Sequence, residues 1–182
     1  MVNILLVLNA LSNTLPINDQ SMPEISAKYP SLFTPAGFTF SIWGIIYLLV
    51  FAFVLIFAIG SPVLSSTTEL LGILFIVSCI LNISWLFCWH YDKILLSSLV
   101  MILFLITLLS ILEFAEPVGI AYITFSVYSG WISVALIANL SITLFKYKVP
   151  IFMNHQKGWL YAILAVSLII GSYMVLFEKN YY

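Results

Sequence analysis

Five stretches of about 20 apolar residues, each without a charged residue near its centre, constrain this chain more than any other feature. They lie at about 38–59, 70–90, 94–114, 118–145 and 158–177. A helix rises about 1.5 Å per residue, so about 20 residues cross the ~30 Å hydrocarbon core of a bilayer. Only 7% of the 182 residues are charged, against about 25% in soluble domains. The sequence therefore predicts an all-α fold, a polytopic membrane helix bundle.

Residues 1–15 are also apolar and helical in pattern, and the pattern ends at Pro16. About 15 residues reach only about 22 Å, which is short for a span. A signal peptide is the alternative. No lysine or arginine precedes the apolar run and no clear cleavage site follows it, so we prefer a short first span, which makes six in all.

Residues 16–37 form a long polar loop that holds Asp19, Glu24, Lys28 and several prolines. Long loops in a compact protein are often lids. We therefore divide the chain into a transmembrane bundle over 1–145, with 16–37 as its lid, and a loop plus an additional transmembrane helix over 146–182.

The lysines predict the orientation of the bundle. With six spans, the loops that follow the first, third and fifth share one side of the membrane. They carry five of the six lysines, namely Lys28, Lys93, Lys146, Lys148 and Lys157. The positive-inside rule puts this side and the long first loop in the cytoplasm, and we expect a bacterial cell membrane rather than an organelle. The chain has no arginine, which argues against a nucleic-acid partner.

The predicted spans lack the residues that most enzymes and ion-coupled carriers need. None has Asp, Glu, Lys or His near its centre, and proton relays require such groups at depth. No nucleophile with a base, no phosphate loop and no paired buried carboxylates occur. His90 and His155, at helix ends on the lysine side, could ligate a metal or haem iron, but interface residues that snorkel explain them better. The sequence predicts no catalytic or metal-binding residues and favours a binding protein over an enzyme.

Three predicted spans carry a face of aromatic and amide side chains. The fifth has Tyr128, Trp131, Ala135 and Asn139, at offsets of 0, 3, 7 and 11. The second has Phe40, Trp43, Gly44 and Tyr47, and the third has Ser78, Asn82, Trp85 and Trp89. Residues at such offsets stack on one side of a helix.

These faces have two interpretations. A pocket with walls of indole and phenol and two amides suits a large, flat, mostly apolar ligand such as a tetrapyrrole or a sterol. In the other interpretation the indoles form an interfacial belt and the two asparagines join helices by hydrogen bonds. Convergence of the three faces at one end of the bundle, under the first loop, favours the pocket.

At these positions the chain resembles the TspO/MBR family, the tryptophan-rich sensory proteins that include the mitochondrial translocator protein (peripheral benzodiazepine receptor). The family's loop-to-helix spacing is met by Pro30, Pro35, Trp43, Gly44 and Tyr47. Its third-helix motif is met by Leu81, Asn82 and Trp85, and its fifth-helix motif by Tyr128, Trp131, Ala135 and Asn139. The resemblance runs from Tyr29 to about Leu144. The chain departs from the family's pattern at Tyr29, Leu32 and Thr34 in the loop, and at Leu140 and Leu144 in the proposed sterol motif, so sterol binding is not carried over.

The resemblance implies a five-helix core with a cavity beneath the first loop, here followed by one additional C-terminal transmembrane helix. It implies that porphyrin or haem binds as a ligand, with no cofactor required. Trp43, Trp85 and Trp131 would stack on the tetrapyrrole. Tyr47, Asn82, Tyr128 and Asn139 would donate to its edge or shape the wall, and Ala135 would allow close approach of two helices. A homodimer is compatible with the small residues of the spans.

Three functions remain open from the sequence. The first is a membrane receptor or sensor for a flat apolar ligand, which we prefer. The second is a protein that transports or degrades porphyrins, the latter through an indole radical at Trp131 or Trp43. The third is a structural membrane component without a small-molecule site.

Overall fold

The fold is known from a computed structural model, which describes residues 18–29, 32, 36–60, 66–115 and 119–177. Every regular element among them is helical. In chain order they are α1 (Met22–Ala27), a 3-10 turn (Gly37–Ser41), α2 (Ile42–Gly60), α3 (Ser66–His90), α4 (Ile94–Phe114), α5 (Ile120–Lys146), α6 (Pro150–Asn154) and α7 (Gln156–Phe177). The second to sixth predicted spans match α2 to α5 and α7 within a few residues. The first predicted span, 1–15, lies outside the described residues.

Within the described part of the chain, four helical stretches are long and apolar enough to cross a membrane. They are Gly37–Phe57, Glu69–His90, Ile94–Phe114 and Ile120–Lys146. Large apolar side chains cover their outer faces, among them Leu48, Ile80, Leu103 and Val134. The protein is an integral membrane protein. α7 has 22 residues, but its crossing of the bilayer, and with it the five-plus-one arrangement, stays a prediction.

The four helices enclose an aromatic interior. α4 packs along both α3 and α5, and α5 packs in turn against α2. Between α2 and α3 the contact is made by rings, since Phe53 lies 5.5 Å from Phe75 and Trp43 lies 6.0 Å from Trp85 between centroids. The space between α2, α3 and α5 is therefore wide and is filled by aromatic side chains.

Several hydroxyl groups of the long helices are satisfied inside the bundle. The hydroxyls of Ser84, Thr107 and Ser133 each donate to the carbonyl one turn earlier in their own helix, which is how such residues avoid an unpaired group in lipid. Asn139 joins helices, because its Oδ1 lies 3.1 Å from Ser97 Oγ and 2.8 Å from Ser98 Oγ on α4. Hydrogen bonds between polar side chains therefore join α4 to α5.

The first loop contains a helix that the sequence analysis did not predict. Ser21 caps α1 by accepting from the backbone N–H of Glu24, and the Glu24 carboxylate accepts from the backbone N–H of Ser21. This reciprocal cap, with a proline in the first turn, starts a helix even in a polar segment. α3 also begins four residues before the predicted residue 70, because Glu69 is favourable in a first turn.

The segment after α5 fastens α7 to the bundle at one end. Phe152 of α6 is buried and meets the Trp159 ring edge-on at 6.1 Å. The Trp159 indole donates to Ser141 Oγ on α5 at 3.0 Å. α7 is therefore anchored at its first turn, and its described side chains beyond that turn are mostly exposed.

Candidate functional site

A cavity lies between α2, α3 and α5, with α1 as its cover. Its volume is about 30 Å³. Its lining comes from four helices and the 3-10 turn, as Met22, Ser26, Phe40, Trp43, Trp85, Trp89, Trp131, Ala135, Ala138, Asn139 and Ile142. A water molecule needs about 10–15 Å³ of such space, whereas pockets for drug-sized ligands measure about 300–1,000 Å³. In this structure the cavity is therefore too small for a drug-sized ligand.

Trp43 is the centre of the aromatic cluster around the cavity. Its ring stacks on Tyr47 at 5.5 Å and meets Tyr128 edge-on at 5.9 Å. Trp131 and Trp85 approach it at 6.1 and 6.0 Å. Each such pair contributes about 0.5–1.5 kcal/mol beyond the burial of its area. The cluster therefore holds α2, α3 and α5 together at the level of the cavity.

The four indoles at the cavity lie inside the bundle and not in a belt. Trp43, Trp85, Trp89 and Trp131 are between 3% and 8% exposed, whereas belt residues face the lipid headgroups. Trp159 is 36% exposed and lies away from the cavity lining. The burial of Trp43, Trp85 and Trp89 argues against the belt interpretation of these residues.

The structure brings five of the eight sequence-predicted site residues to the cavity wall. They are Trp43, Trp85, Trp131, Ala135 and Asn139. The other three lie beside this wall: Tyr47 against Trp43, and Asn82 and Tyr128 joined to each other. Sequence reasoning did not assign Met22 and Ser26 of α1 to the site, although the capping motif of that helix was legible in the sequence.

Asn82 and Tyr128 form a buried polar pair next to the cavity. Asn82 Nδ2 donates to the Tyr128 hydroxyl at 2.8 Å, and both side chains are at most 3% exposed. The pair links α3 to α5. Among the described residues this is the one hydrogen bond of the Asn82 side chain, and its Oδ1 is buried without a partner.

Six residues of the lining carry a buried polar atom without a hydrogen-bond partner in the described part of the chain. The atoms are Ser26 Oγ, Asn139 Nδ2 and the indole nitrogens of Trp43, Trp85, Trp89 and Trp131. An unpaired buried donor or acceptor costs about 1–3 kcal/mol, and native proteins keep such groups few. Their concentration around one cavity makes it the candidate functional site.

α1 is held over the cavity by a polar cluster that we name the latch, formed by Tyr29, Asp92 and Lys146. The Tyr29 hydroxyl lies 2.9 and 3.0 Å from the two Asp92 carboxylate oxygens. Lys146 Nζ lies 2.8 Å from Asp92 Oδ2 and 5.5 Å from the centre of the Tyr29 ring. The latch therefore ties the residue that follows α1 to the α3–α4 turn and to the last turn of α5.

Two further features hold α1 and the residues before it against the bundle. Met22 and Ile25 of α1 are 1% and 0% exposed, and Asn18 Nδ2 donates to the His90 carbonyl at 3.1 Å.

Burial raises the pKa of the Tyr29 phenol, and the hydrogen bond to the Asp92 carboxylate raises it further. The phenol consequently stays protonated and able to donate throughout the neutral pH range.

A comparison with protein families decides the relationship of this chain. The model of the family described as TSPO-like protein matches residues 1–182. The chain belongs to the TSPO-like protein family. The match includes α7 and so extends beyond the region from Tyr29 to Leu144 that carries the motifs. No curated protein and no solved structure matches the chain.

In this TSPO-like protein we expect Tyr128→Phe to lower the free energy of unfolding by about 1–3 kcal/mol, because it leaves the Asn82 amide buried without a partner. Chemical unfolding in detergent would measure the loss. The double variant Asn82→Leu with Tyr128→Phe should recover most of it, since both polar groups are then gone. Tyr161→Phe on the exposed face of α7 is the control. A double variant as unstable as the sum of the single variants would contradict the pairing.

We also expect Tyr29→Phe to loosen the lid of the TSPO-like protein. Loss of one hydrogen bond to a partly exposed carboxylate shifts the closed state by about 1 kcal/mol, which raises the open fraction about fivefold. Limited trypsin cleavage after Lys28 reports this fraction when opening is fast. Tyr91 is an exposed phenol next to Asp92 in the α3–α4 turn, and the Tyr91→Phe variant should be cleaved at the wild-type rate. Equal cleavage of all three proteins would show that the latch does not hold α1.

Proposed function

We propose that this TSPO-like protein is a membrane receptor or sensor for a large, flat, mostly apolar ligand, with tetrapyrroles as the favoured class. The observation that carries the proposal is the cavity walled by four buried indoles beneath a latched helix. Flat ring faces at this density offer stacking area to a planar ligand. A purely structural bundle would have no need of unpaired indole N–H groups around a cavity.

Binding of such a ligand requires α1 to move. The closed cavity of about 30 Å³ is smaller than a tetrapyrrole by an order of magnitude. On α5 the small side chains of Ala135 and Ala138 leave room beside the cavity. Displacement of Met22 and Ser26 would therefore open a slot whose other walls are aromatic rings. The binding energy of the ligand must therefore exceed the free energy that holds the lid closed.

We propose that the lid faces the cytoplasm of a bacterial cell. Lys28 lies at the end of α1, and Lys93 and Lys146 lie at the α3–α4 turn and the end of α5, which the latch joins to the lid. Lys148 and Lys157 follow in the same region of the chain. The positive-inside rule is the support for this orientation.

Quenching of intrinsic tryptophan fluorescence by protoporphyrin IX in detergent tests the function. We expect saturable quenching in the wild type, with an affinity lowered about tenfold or more in Trp131→Phe, because a cavity indole is lost. Trp159→Phe removes a tryptophan that lies outside the cavity lining and should keep the wild-type affinity. Linear quenching, equal in all three proteins, would mean partition into the micelle and would overturn the proposal.

A further inference from the structure

The segment that joins α5 to α7 carries a surplus of positive charge. It contains Lys146, Lys148 and Lys157, and no Asp or Glu occurs between residues 117 and 177. Asp92 pairs with Lys146 at 2.8 Å. Lys148 and Lys157 are exposed, and within the described part of the chain neither donates a hydrogen bond or forms an ion pair. Two positive charges of this segment therefore remain without an anionic partner in that part of the protein.

Lys148 has a backbone conformation that is unfavourable for lysine. Its φ is 50°, in the left-handed region where glycine or asparagine usually follows the end of a helix. The N–H of Val149 donates to the Leu144 carbonyl at 3.0 Å, so the turn at this residue closes α5. Asp92 follows α3 in the same conformation, with a φ of 56°, and uses its carboxylate in the latch. The strain at Lys148 likewise points to a use for its side chain.

Exposed apolar and aromatic side chains lie in the same segment as these two lysines. Tyr147 is 57% exposed and Ile151 of α6 is 75% exposed. α6 is nevertheless fixed to the protein, because Phe152 is buried and packs against the Trp159 ring. The segment begins where the apolar stretch Ile120–Lys146 ends. Cations next to apolar side chains at the end of a span suit the boundary between lipid headgroups and acyl chains.

We propose that Lys148 and Lys157 bind the headgroups of anionic phospholipids, while Tyr147 and Ile151 contact the acyl chains of the same lipids. Charge complementarity supports this partner, because the lipid phosphates supply the negative charge that the segment lacks. The acyl chains also cover the exposed apolar side chains, which a soluble anion would leave in water. Zwitterionic phospholipids offer the same chains without net charge, so they bind more weakly here. This binding does not depend on any ligand of the cavity.

Titration of the purified protein with two phospholipids that have the same acyl chains tests the proposal. Native mass spectrometry from detergent counts the bound molecules of phosphatidylglycerol, which is anionic, and of phosphatidylcholine, which is zwitterionic. We expect the wild type to bind phosphatidylglycerol at least about fivefold more tightly. Lys148→Gln and Lys157→Gln should each lower this affinity about fivefold, the factor that one lysine contributes near an anionic lipid surface. The affinity for phosphatidylcholine should change less than twofold.

Lys28→Gln is the matched control, because it removes the same charge after α1, where the Lys28 ammonium binds the Gln20 side chain. It should keep the wild-type affinity for phosphatidylglycerol. Lys148→Gly separates binding from a structural role. Since glycine suits a φ of 50°, this variant should unfold at a higher temperature than the wild type and still lose affinity as Lys148→Gln does.

Two results would overturn the proposal. The first is equal affinity of the wild type for phosphatidylglycerol and phosphatidylcholine. The second is a loss of phosphatidylglycerol affinity in Lys28→Gln as large as that in Lys148→Gln and Lys157→Gln, which would show that overall charge attracts the lipid without a site in this segment.

Discussion

Ala135→Phe should abolish porphyrin binding while the bundle stays folded. Ala135 lines the cavity on α5 between Trp131 and Asn139, and a phenyl ring at this position occupies the slot that a planar ligand needs. We expect the affinity for protoporphyrin IX to fall more than about 30-fold, which corresponds to about 2 kcal/mol of steric conflict. Fluorescence quenching measures the affinity, and far-ultraviolet circular dichroism with size-exclusion chromatography measures the fold.

The matched control for this substitution is Ala162→Phe. Ala162 is exposed on α7, away from the cavity lining, so the added ring meets lipid or detergent and the affinity should stay within twofold of the wild type. If Ala135→Phe folds normally and binds protoporphyrin IX with unchanged affinity, the ligand does not use this cavity. Because overpacking costs about 1–3 kcal/mol, Ala135→Leu, which adds less volume, serves as a milder variant with an intermediate expected loss.

Trp43→Ala should be the most destabilising single substitution in the site. The Trp43 indole is 3% exposed and contacts Tyr47, Trp85, Tyr128 and Trp131. Truncation of a buried aromatic ring costs about 3–5 kcal/mol, and here it removes the ring that joins α2 to α3 and α5. We expect the midpoint of thermal unfolding in detergent to be lower than that of the wild type, because the contacts of α2 with α3 and α5 are made by this ring.

Phe38→Ala is the comparison for the loss of an aromatic ring. Phe38 lies in the 3-10 turn near Trp43 in the chain but is 82% exposed, so its truncation should change the free energy of unfolding by less than about 0.5 kcal/mol. The loss of free energy of unfolding in Trp43→Phe should lie between those of Trp43→Ala and Phe38→Ala, because phenylalanine keeps a smaller ring. A Trp43→Ala protein as stable as Phe38→Ala would show that the aromatic cluster does not hold α2 in place.

The faces of the helices could be predicted from the sequence because helical geometry alone determines them. Tyr128, Trp131 and Asn139 lie on one side of any regular helix over 118–145, and the structure buries all three. The spans were equally legible, since membrane thickness fixes their length. Which polar residues line the cavity could not be predicted from the sequence. Asn82 and Asn139 occur in similar apolar helices, yet of the two only Asn139 lines the cavity.

The lid and its latch depend on contacts between distant parts of the chain. Tyr29 and Asp92 are 63 residues apart, and no local pattern indicates that they meet. In the sequence Tyr29 was only a departure from the motif of the TspO/MBR family. The volume of the cavity also follows from the packing of three long helices and α1, so its small size could be recognised only in the structure.

The spacing of the cavity indoles has a photophysical consequence. Four of the five tryptophans form a chain in which neighbouring ring centres are 6.0 to 6.2 Å apart. At such separations an excited indole passes its energy to the next by resonance before it emits. The four indoles of the cluster therefore share their excitation energy, and one acceptor chromophore in contact with any member quenches the emission of all four.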